Sequence, residues 1–250
     1  MNPVLLIGLG AVALMATGKK KSSKSTSKKP CPPLSPGGGH IAGFDYIEIA
    51  TGGASLNERL PIIIHFHSLG SKPESFIKYY DNLPQKARVI LPTGREKFGS
   101  GPAWWTLKSR TEDQEGLARM MSGEGASMAE FVREVNRCLA GVGKPIITGH
   151  SQGGMMTYAV AASAPDDVKG AVAVSGWLPT SMWPQSLPPT FAIHGEDDRT
   201  VKFARTEDFI QRASGAGLPI TWIPIPGRAH GFSAGIKDAW NDSLQSFLQG

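Results

Sequence analysis

Glycines stand two places before and after a serine in Gly149-His150-Ser151-Gln152-Gly153, and this is the pattern in the chain with the clearest chemical meaning. A serine hydroxyl is a weak nucleophile. It reacts when a sharp turn presents it to a base and to backbone N–H donors. A tight strand-to-helix turn does this, and its crowding demands small residues two places either side of the serine. Taken alone the pattern is weak evidence, and a plain glycine turn is the competing reading. Context strengthens it: the apolar run Pro145-Ile146-Ile147-Thr148 leads in and a helical stretch leads out.

Such a serine needs a carboxylate and an imidazole, following it in that order on this kind of scaffold. The run Thr190-Phe191-Ala192-Ile193 reads as a buried strand, and it ends in an acidic turn, His194-Gly195-Glu196-Asp197-Asp198. His230 follows the last predicted strand in the glycine-flanked loop Pro226-Gly227-Arg228-Ala229-His230-Gly231, where a solvated loop histidine is the bland alternative. Backbone donors for a developing oxyanion are expected at Gln152 and in His67-Ser68-Leu69-Gly70, with Leu69 preferred over Ser68. His65 and His67 alternate as metal ligands can, but no third ligand has suitable spacing. Packing, or shaping of the oxyanion loop, suits them better. No Cys/His cluster points to a metal and no glycine-rich phosphate loop to a nucleotide, so no cofactor is expected.

The elements that must hold these residues alternate between β-branched runs and helical periods, which predicts an α/β domain with a mainly parallel sheet. Strands are predicted at 44–49, 61–66, 88–92, 145–149, 170–175, 190–194 and 220–225. Helices are predicted at 74–83, 127–142, 152–164, 203–213 and 233–248. Met128, Phe131, Val132, Val135 and Leu139 repeat at helical spacing, an apolar stripe facing the sheet. Ile62-Ile63-Ile64 and Ala171-Val172-Ala173-Val174 do not alternate, as expected of strands covered on both faces. Residues 95–125 break the rhythm and read as a long loop. Its Trp104-Trp105 pair suits either a place beside the substrate or core packing.

The formal charge of +5 misleads about partners. Six lysines lie in residues 1–39 with no acid; from residue 40 onward 20 basic residues face 21 acidic ones. A nucleic-acid-binding fold would carry its excess charge on the fold itself, so no nucleic-acid partner is expected. The chain divides into an apolar segment (1–18), a Lys/Ser/Pro/Gly linker (19–39) and one domain (40–250). The apolar run 3–17 reaches about 22 Å as a helix, short of a ~30 Å hydrocarbon core. Its lysines follow rather than precede it, unlike a secretory signal. Membrane association through residues 3–17 is the favoured expectation, and secretion is the alternative. Cys31 in the tail and Cys138 on a predicted helix are the only cysteines. Cys138 reads as a buried thiol, and a bond between the two is not expected.

Four segments occur in one family's order: Gly-His-Ser-Gln-Gly-Gly at 149–154, Val174-Ser175-Gly176-Trp177-Leu178-Pro179, His194-Gly195-Glu196-Asp197-Asp198-Arg199-Thr200-Val201, and Ala229-His230-Gly231. Together they resemble the carboxylesterase, phospholipase and acyl-protein thioesterase group of α/β-hydrolases over roughly residues 60–248. The resemblance implies an α/β-hydrolase fold with helices on both faces of the sheet and no large cap domain. It implies cleavage of small-molecule or lipid-like carboxylic esters or thioesters by Ser151, His230 and Asp198, with Asp197 as the fallback acid. Peptidase chemistry on the same fold, or a catalytically silent tethered binding module, are the competing readings. The Trp104-Trp105 stretch is similar to a tryptophan-containing stretch of the family. With Ser68 and Trp177, these tryptophans are candidate substrate contacts. Ser68 departs from the pattern, standing where the family's His-Gly-x-Gly loop has its first glycine.

Overall fold

The apolar runs that do not alternate become the middle of one large sheet. The computed structural model describes residues 30–31, 36–106, 114–139 and 141–249. Its strands are β1 (Gly38–Ile41), β2 (Phe44–Ala50), β3 (Ile62–Phe66), β4 (Arg88–Pro92), β5 (Glu96–Phe98), β6 (Gly101–Ala103), β7 (Ile146–His150), β8 (Gly170–Val174), β9 (Thr190–Gly195) and β10 (Ile220–Ile225). Eight of them form a sheet in the order β1-β2-β4-β3-β7-β8-β9-β10, and β5 and β6 make a separate hairpin. The β1–β2 and β2–β4 pairings are antiparallel, whereas every pairing from β4 across to β10 is parallel. β3, β4, β7 and β8 are buried at every position, which is why their sequences show no alternation.

Helices α1 (Gln114–Cys138), α2 (Gln152–Ser163), α3 (Phe203–Gly215) and α4 (Ala234–Gln249) cover the sheet. Phe131, Val135, Tyr158 and Phe209 pack α1, α2 and α3 on one face. Tyr80, Leu83, Trp240 and Leu244 fill the other, beneath α4 and the 3₁₀ turn Pro73–Tyr79. Because the central strands run parallel, the loops leaving β3, β7, β9 and β10 all emerge at one edge of the sheet. Ligand sites of open α/β sheets form at that edge.

Several boundaries differ from expectation for physical reasons. α1 begins at Gln114, inside the stretch read as a loop, because Leu117, Ala118 and Met121 extend the buried stripe back from Met128. Gly123 and Gly125 obscure that stripe in the sequence. Gly125 is small because α1 crosses α2 there: a Cβ on it would press against Ala159. Residues 96–103 of the same stretch form the β5–β6 hairpin. The helix expected at 74–83 is the shorter 3₁₀ turn, and β1 starts at Gly38, inside the region read as linker. The apolar run 3–17, most of the linker and residues 107–113 lie outside the described residues. Among those described, no helix is long and apolar enough to cross a membrane.

The expectation for the cysteines is corrected outright. Cys31 and Cys138 are joined by a disulfide, with Cα atoms 5.5 Å apart. Cys138 sits at the margin of the α1 stripe rather than on its axis. Val135 and Leu139 take the buried positions, leaving its sulfur half-exposed at the helix end where the chain at Cys31 can reach it. The bond spans a sequence separation of 107 residues, and a cross-link closing a loop of that length can contribute about 4.7 kcal/mol by restricting the unfolded chain. The oxidised protein, denatured without reductant, should therefore show no reactive thiol. Reduction should lower its unfolding free energy by a few kcal/mol. Two reactive thiols before reduction would contradict the pairing.

Candidate active site

Ser151 is the single residue between β7 and α2, and the chain turns so sharply there that its φ is 60°. A non-glycine residue in this region stores roughly 1–3 kcal/mol of strain, tolerated where the surroundings impose it. They do so here. The Ser151 N–H donates to the Val174 carbonyl at 2.9 Å, and the Ser151 carbonyl accepts from the Met155 N–H at 3.0 Å. A Cβ on Gly153 would collide with the Phe66 carbonyl, one on Gly154 with the Val174 carbonyl, and one on Gly149 with Gly153 itself. The glycines therefore let β3, β7, β8 and α2 converge beneath the serine.

The turn aims the Ser151 hydroxyl at the loop after β10. Its Oγ lies 2.8 Å from His230 Nε2, while His230 Nδ1 donates to Asp198 Oδ2 at 2.7 Å. The acid and histidine loops are laced together: the Glu196 N–H donates to the Ile225 carbonyl and the Asp197 N–H to the Arg228 carbonyl. Asp198 is buried and Asp197 is exposed, so Asp198 is the carboxylate that reaches the imidazole. Its Oδ1 accepts the Thr200 and Val201 N–H groups, each at 2.9 Å, and His194 Nε2 lies 3.1 Å from Oδ2. Burial by itself would raise the Asp198 pKa. Hydrogen bonds from His194 and His230, the neighbouring imidazole and the Val201 N–H outweigh it and hold the carboxyl well below the usual range. Ionised Asp198 can thus fix the His230 tautomer, leaving Nε2 free to take a proton from the serine.

Two backbone N–H groups border the serine. That of Gln152 opens α2, so it has no carbonyl one turn back and lies at the positive end of the helix dipole. The other, of Leu69, is oriented by His67. The Ser68 carbonyl can only accept and the Gly94 N–H can only donate. His67 Nδ1–H therefore donates to Ser68 O at 2.9 Å, and Nε2 accepts from Gly94 at 2.9 Å. A trans peptide points its N–H opposite its carbonyl, so pinning Ser68 O turns the Leu69 N–H away from His67. Among the described residues, that N–H has no hydrogen-bond partner. Both His67 nitrogens are thus committed, one to its own loop and one to Gly94 after β4, and His65 is enclosed by Phe76, Tyr80 and Trp240 with Nδ1 at the Tyr80 hydroxyl.

The tryptophans divide differently from expectation. Trp104 and Trp105 are buried, at 1% and 4% exposure. Trp104 stacks on His67 with ring centres 4.4 Å apart and donates its indole N–H to the His67 carbonyl. The Gln152 side chain accepts the Trp104 N–H and donates to the Trp105 carbonyl. The two tryptophans pack in the core behind the loop at His67–Leu69 and do not line the cavity at Ser151. Trp177 lies under the Arg205 guanidinium and borders a separate cavity. The cavity at Ser151, about 440 Å³, is lined by Ser68, Leu69, Phe76, Tyr79, His230 and Phe232 among others.

Two histidines escaped the sequence reading. His194 contacts the acid, and His150 Nε2 lies 2.7 Å from the His230 carbonyl. His194 reaches Asp198 from four residues away, whereas no spacing reveals the His150 bond across 80 residues.

Residues 53–234 match the phospholipase/carboxylesterase family, well over half the chain. The chain belongs to that family. Acyl-protein thioesterase 1 of Gibberella zeae is 24% identical over 223 residues, 78% of this chain and 92% of that relative. The crystal structure of esterase PE8 overlays with a TM-score of 0.70 at 18% identity, covering 82% of this chain and 99% of that one. Zea mays acyl-protein thioesterase 2 overlays with a TM-score of 0.64 at 20% identity, covering 81% and 98%. The overlays establish the α/β-hydrolase fold. As a phospholipase/carboxylesterase family member, the chain is a hydrolase of the esterase and thioesterase type.

This family member also buries uncharged histidines. Burial pushes His65 down to about 3, and His67 and His150 down to about 4, all from 6.5. The unfolded chain takes up protons near pH 6.5 that the folded chain refuses until about pH 4. Stability is therefore full above pH 6.5 and falls as the pH drops toward 4, by up to ~1.4 kcal/mol per pH unit for each histidine. Urea unfolding measured from pH 8 to pH 4.5 should show this decline; a flat profile would contradict it.

Proposed function

We propose that this chain is a serine hydrolase that cleaves carboxylic esters or thioesters in two acyl-transfer steps. One observation carries the reading: the Ser151 hydroxyl is 2.8 Å from an imidazole nitrogen whose partner nitrogen is held at 2.7 Å by a buried carboxylate. His230 takes the Ser151 proton as Oγ attacks the acyl carbonyl. The Leu69 and Gln152 N–H groups receive the negative charge on the carbonyl oxygen, a contribution of about 10²–10³ in rate per donor in such sites. The protonated His230 gives its proton to the departing alcohol or thiol. It then deprotonates the water that releases the acid from Ser151.

The family membership and the names of the relatives, thioesterases and carboxylesterases, favour esters and thioesters over peptides. The cavity at Ser151 presents apolar surface from Leu69, Phe76, Tyr79 and Phe232, suited to a small-molecule or lipid-like acyl ester. We infer membrane association through residues 3–17, with secretion as the alternative. The Cys31–Cys138 disulfide favours an oxidising compartment.

Ser151→Ala should lose turnover by about 10⁶ on p-nitrophenyl esters and on a thioester, with peptides uncleaved by the parent enzyme. Asp198→Asn should be crippled while Asp197→Asn stays near the parent rate. Normal turnover by Ser151→Ala would sink the reading, and the reverse order of the two aspartate variants would move the acid to Asp197.

A further inference from the structure

The base must be held at a fixed distance from the nucleophile, and the outer side of its loop faces solvent. Pro226, Gly227, Arg228, Ala229 and Gly231 are exposed, and a side chain added at Gly231 would meet open space. The imidazole is tied at its tip by Asp198. Among the described residues, the His230 backbone carbonyl has one partner, His150 Nε2 at 2.7 Å. His150 is the last residue of β7, in the middle of the sheet, 8% exposed and directly before Ser151. A bond from His150 therefore refers the base to the same strand end that carries the nucleophile.

The direction of this bond follows from the partners. A carbonyl only accepts, so His150 carries its hydrogen on Nε2. Buried and neutral, it then offers Nδ1 as an acceptor, and Ser68 Oγ lies 3.0 Å from that nitrogen. The Ser68 hydroxyl also donates to the His150 carbonyl at 3.0 Å, which keeps it against this residue. A glycine at 68 could make neither contact. The serine that departs from the resembled pattern thus becomes one end of a strut from the oxyanion loop through His150 to the base loop. Phe232 packs edge-on against the His150 ring at 5.7 Å and holds its plane.

We propose that His150 is a positioning residue. In the Nε2–H tautomer fixed by the His230 carbonyl, and braced by Ser68, it anchors that carbonyl and so sets the distance from imidazole to Ser151. This rests on the reading of Ser151 as nucleophile and His230 as base. A displacement of about 1 Å in such a group can lower the rate on the order of 10²-fold.

The test uses the full chain with three variants: His150→Phe, His150→Gln and Ser68→Ala. Each is assayed for kcat and KM on a p-nitrophenyl ester, for the rate of labelling by a fluorophosphonate, and for Tm. His150→Phe should lower kcat and the labelling rate together by about 10- to 100-fold, with KM within about twofold of the parent. His150→Gln places an amide N–H where Nε2–H was and should recover most of that loss. Ser68→Ala should lower kcat by several-fold at unchanged KM. Parent-like kcat in His150→Phe, or a His150→Gln as slow as His150→Phe with the same fall in Tm, would overturn the proposal. If His150→Phe does not fold, parent-like kcat in Ser68→Ala overturns it instead. A parent enzyme that the fluorophosphonate fails to label at Ser151 overturns the underlying reading; labelling of the parent with an equally fast His150→Phe overturns this proposal alone.

Discussion

Backbone crowding beneath Ser151 is the constraint on which the rest of the molecule depends. Gly149, Gly153 and Gly154 allow β7 and the start of α2 to press against the carbonyls of Phe66 and Val174, closer than any Cβ would permit. This convergence forces the serine to a φ of 60° and lifts its hydroxyl clear of the sheet. It also brings the end of β3 beside the N-terminus of α2, so that two unrelated stretches of backbone can direct N–H groups toward one point. The strain at one residue is small beside the burial of the four sheet strands and two helix faces packed around it.

Hydrogen-bond direction supplies a second layer of order. His67, His150 and His230 each have one nitrogen facing an obligate acceptor, a carbonyl or a carboxylate, so each carries its proton at a defined position. His67 orients a peptide, His150 holds a backbone carbonyl, and His230 is left with a lone pair at the serine hydroxyl. Burial that lowers the basicity of His67 and His150 keeps them neutral through the neutral range, so they hold these bonds without placing a cation beside His230.

Much of this was legible because local chemistry dictated it. Strands buried on both faces must be apolar throughout, the elbow requires glycines at 149 and 153, and the acid and base fall at strand ends that a parallel sheet gathers on one edge. Those features point to Ser151, His230 and the acidic turn at 196–198; the choice of Asp198 within that turn came from the family resemblance. What escaped depends on contacts between distant parts of the chain. The start of α1 was hidden by Gly125, small only because Ala159 lies opposite it. Trp104 could have faced a ligand or the core, and only the stacking partner His67 decides between them. The disulfide depends on where the chain at Cys31 lies against the end of α1, a matter no periodicity encodes.

The central claim is that the Ser151 oxygen becomes covalently bonded to the acyl group during turnover. Acid-quenching the enzyme during hydrolysis of a p-nitrophenyl ester, followed by peptide mass mapping, tests it most directly. The mass of the acyl group should appear on the peptide containing Ser151, at that residue. Steady hydrolysis with the peptide unmodified, or with the acyl group on another side chain, would contradict it.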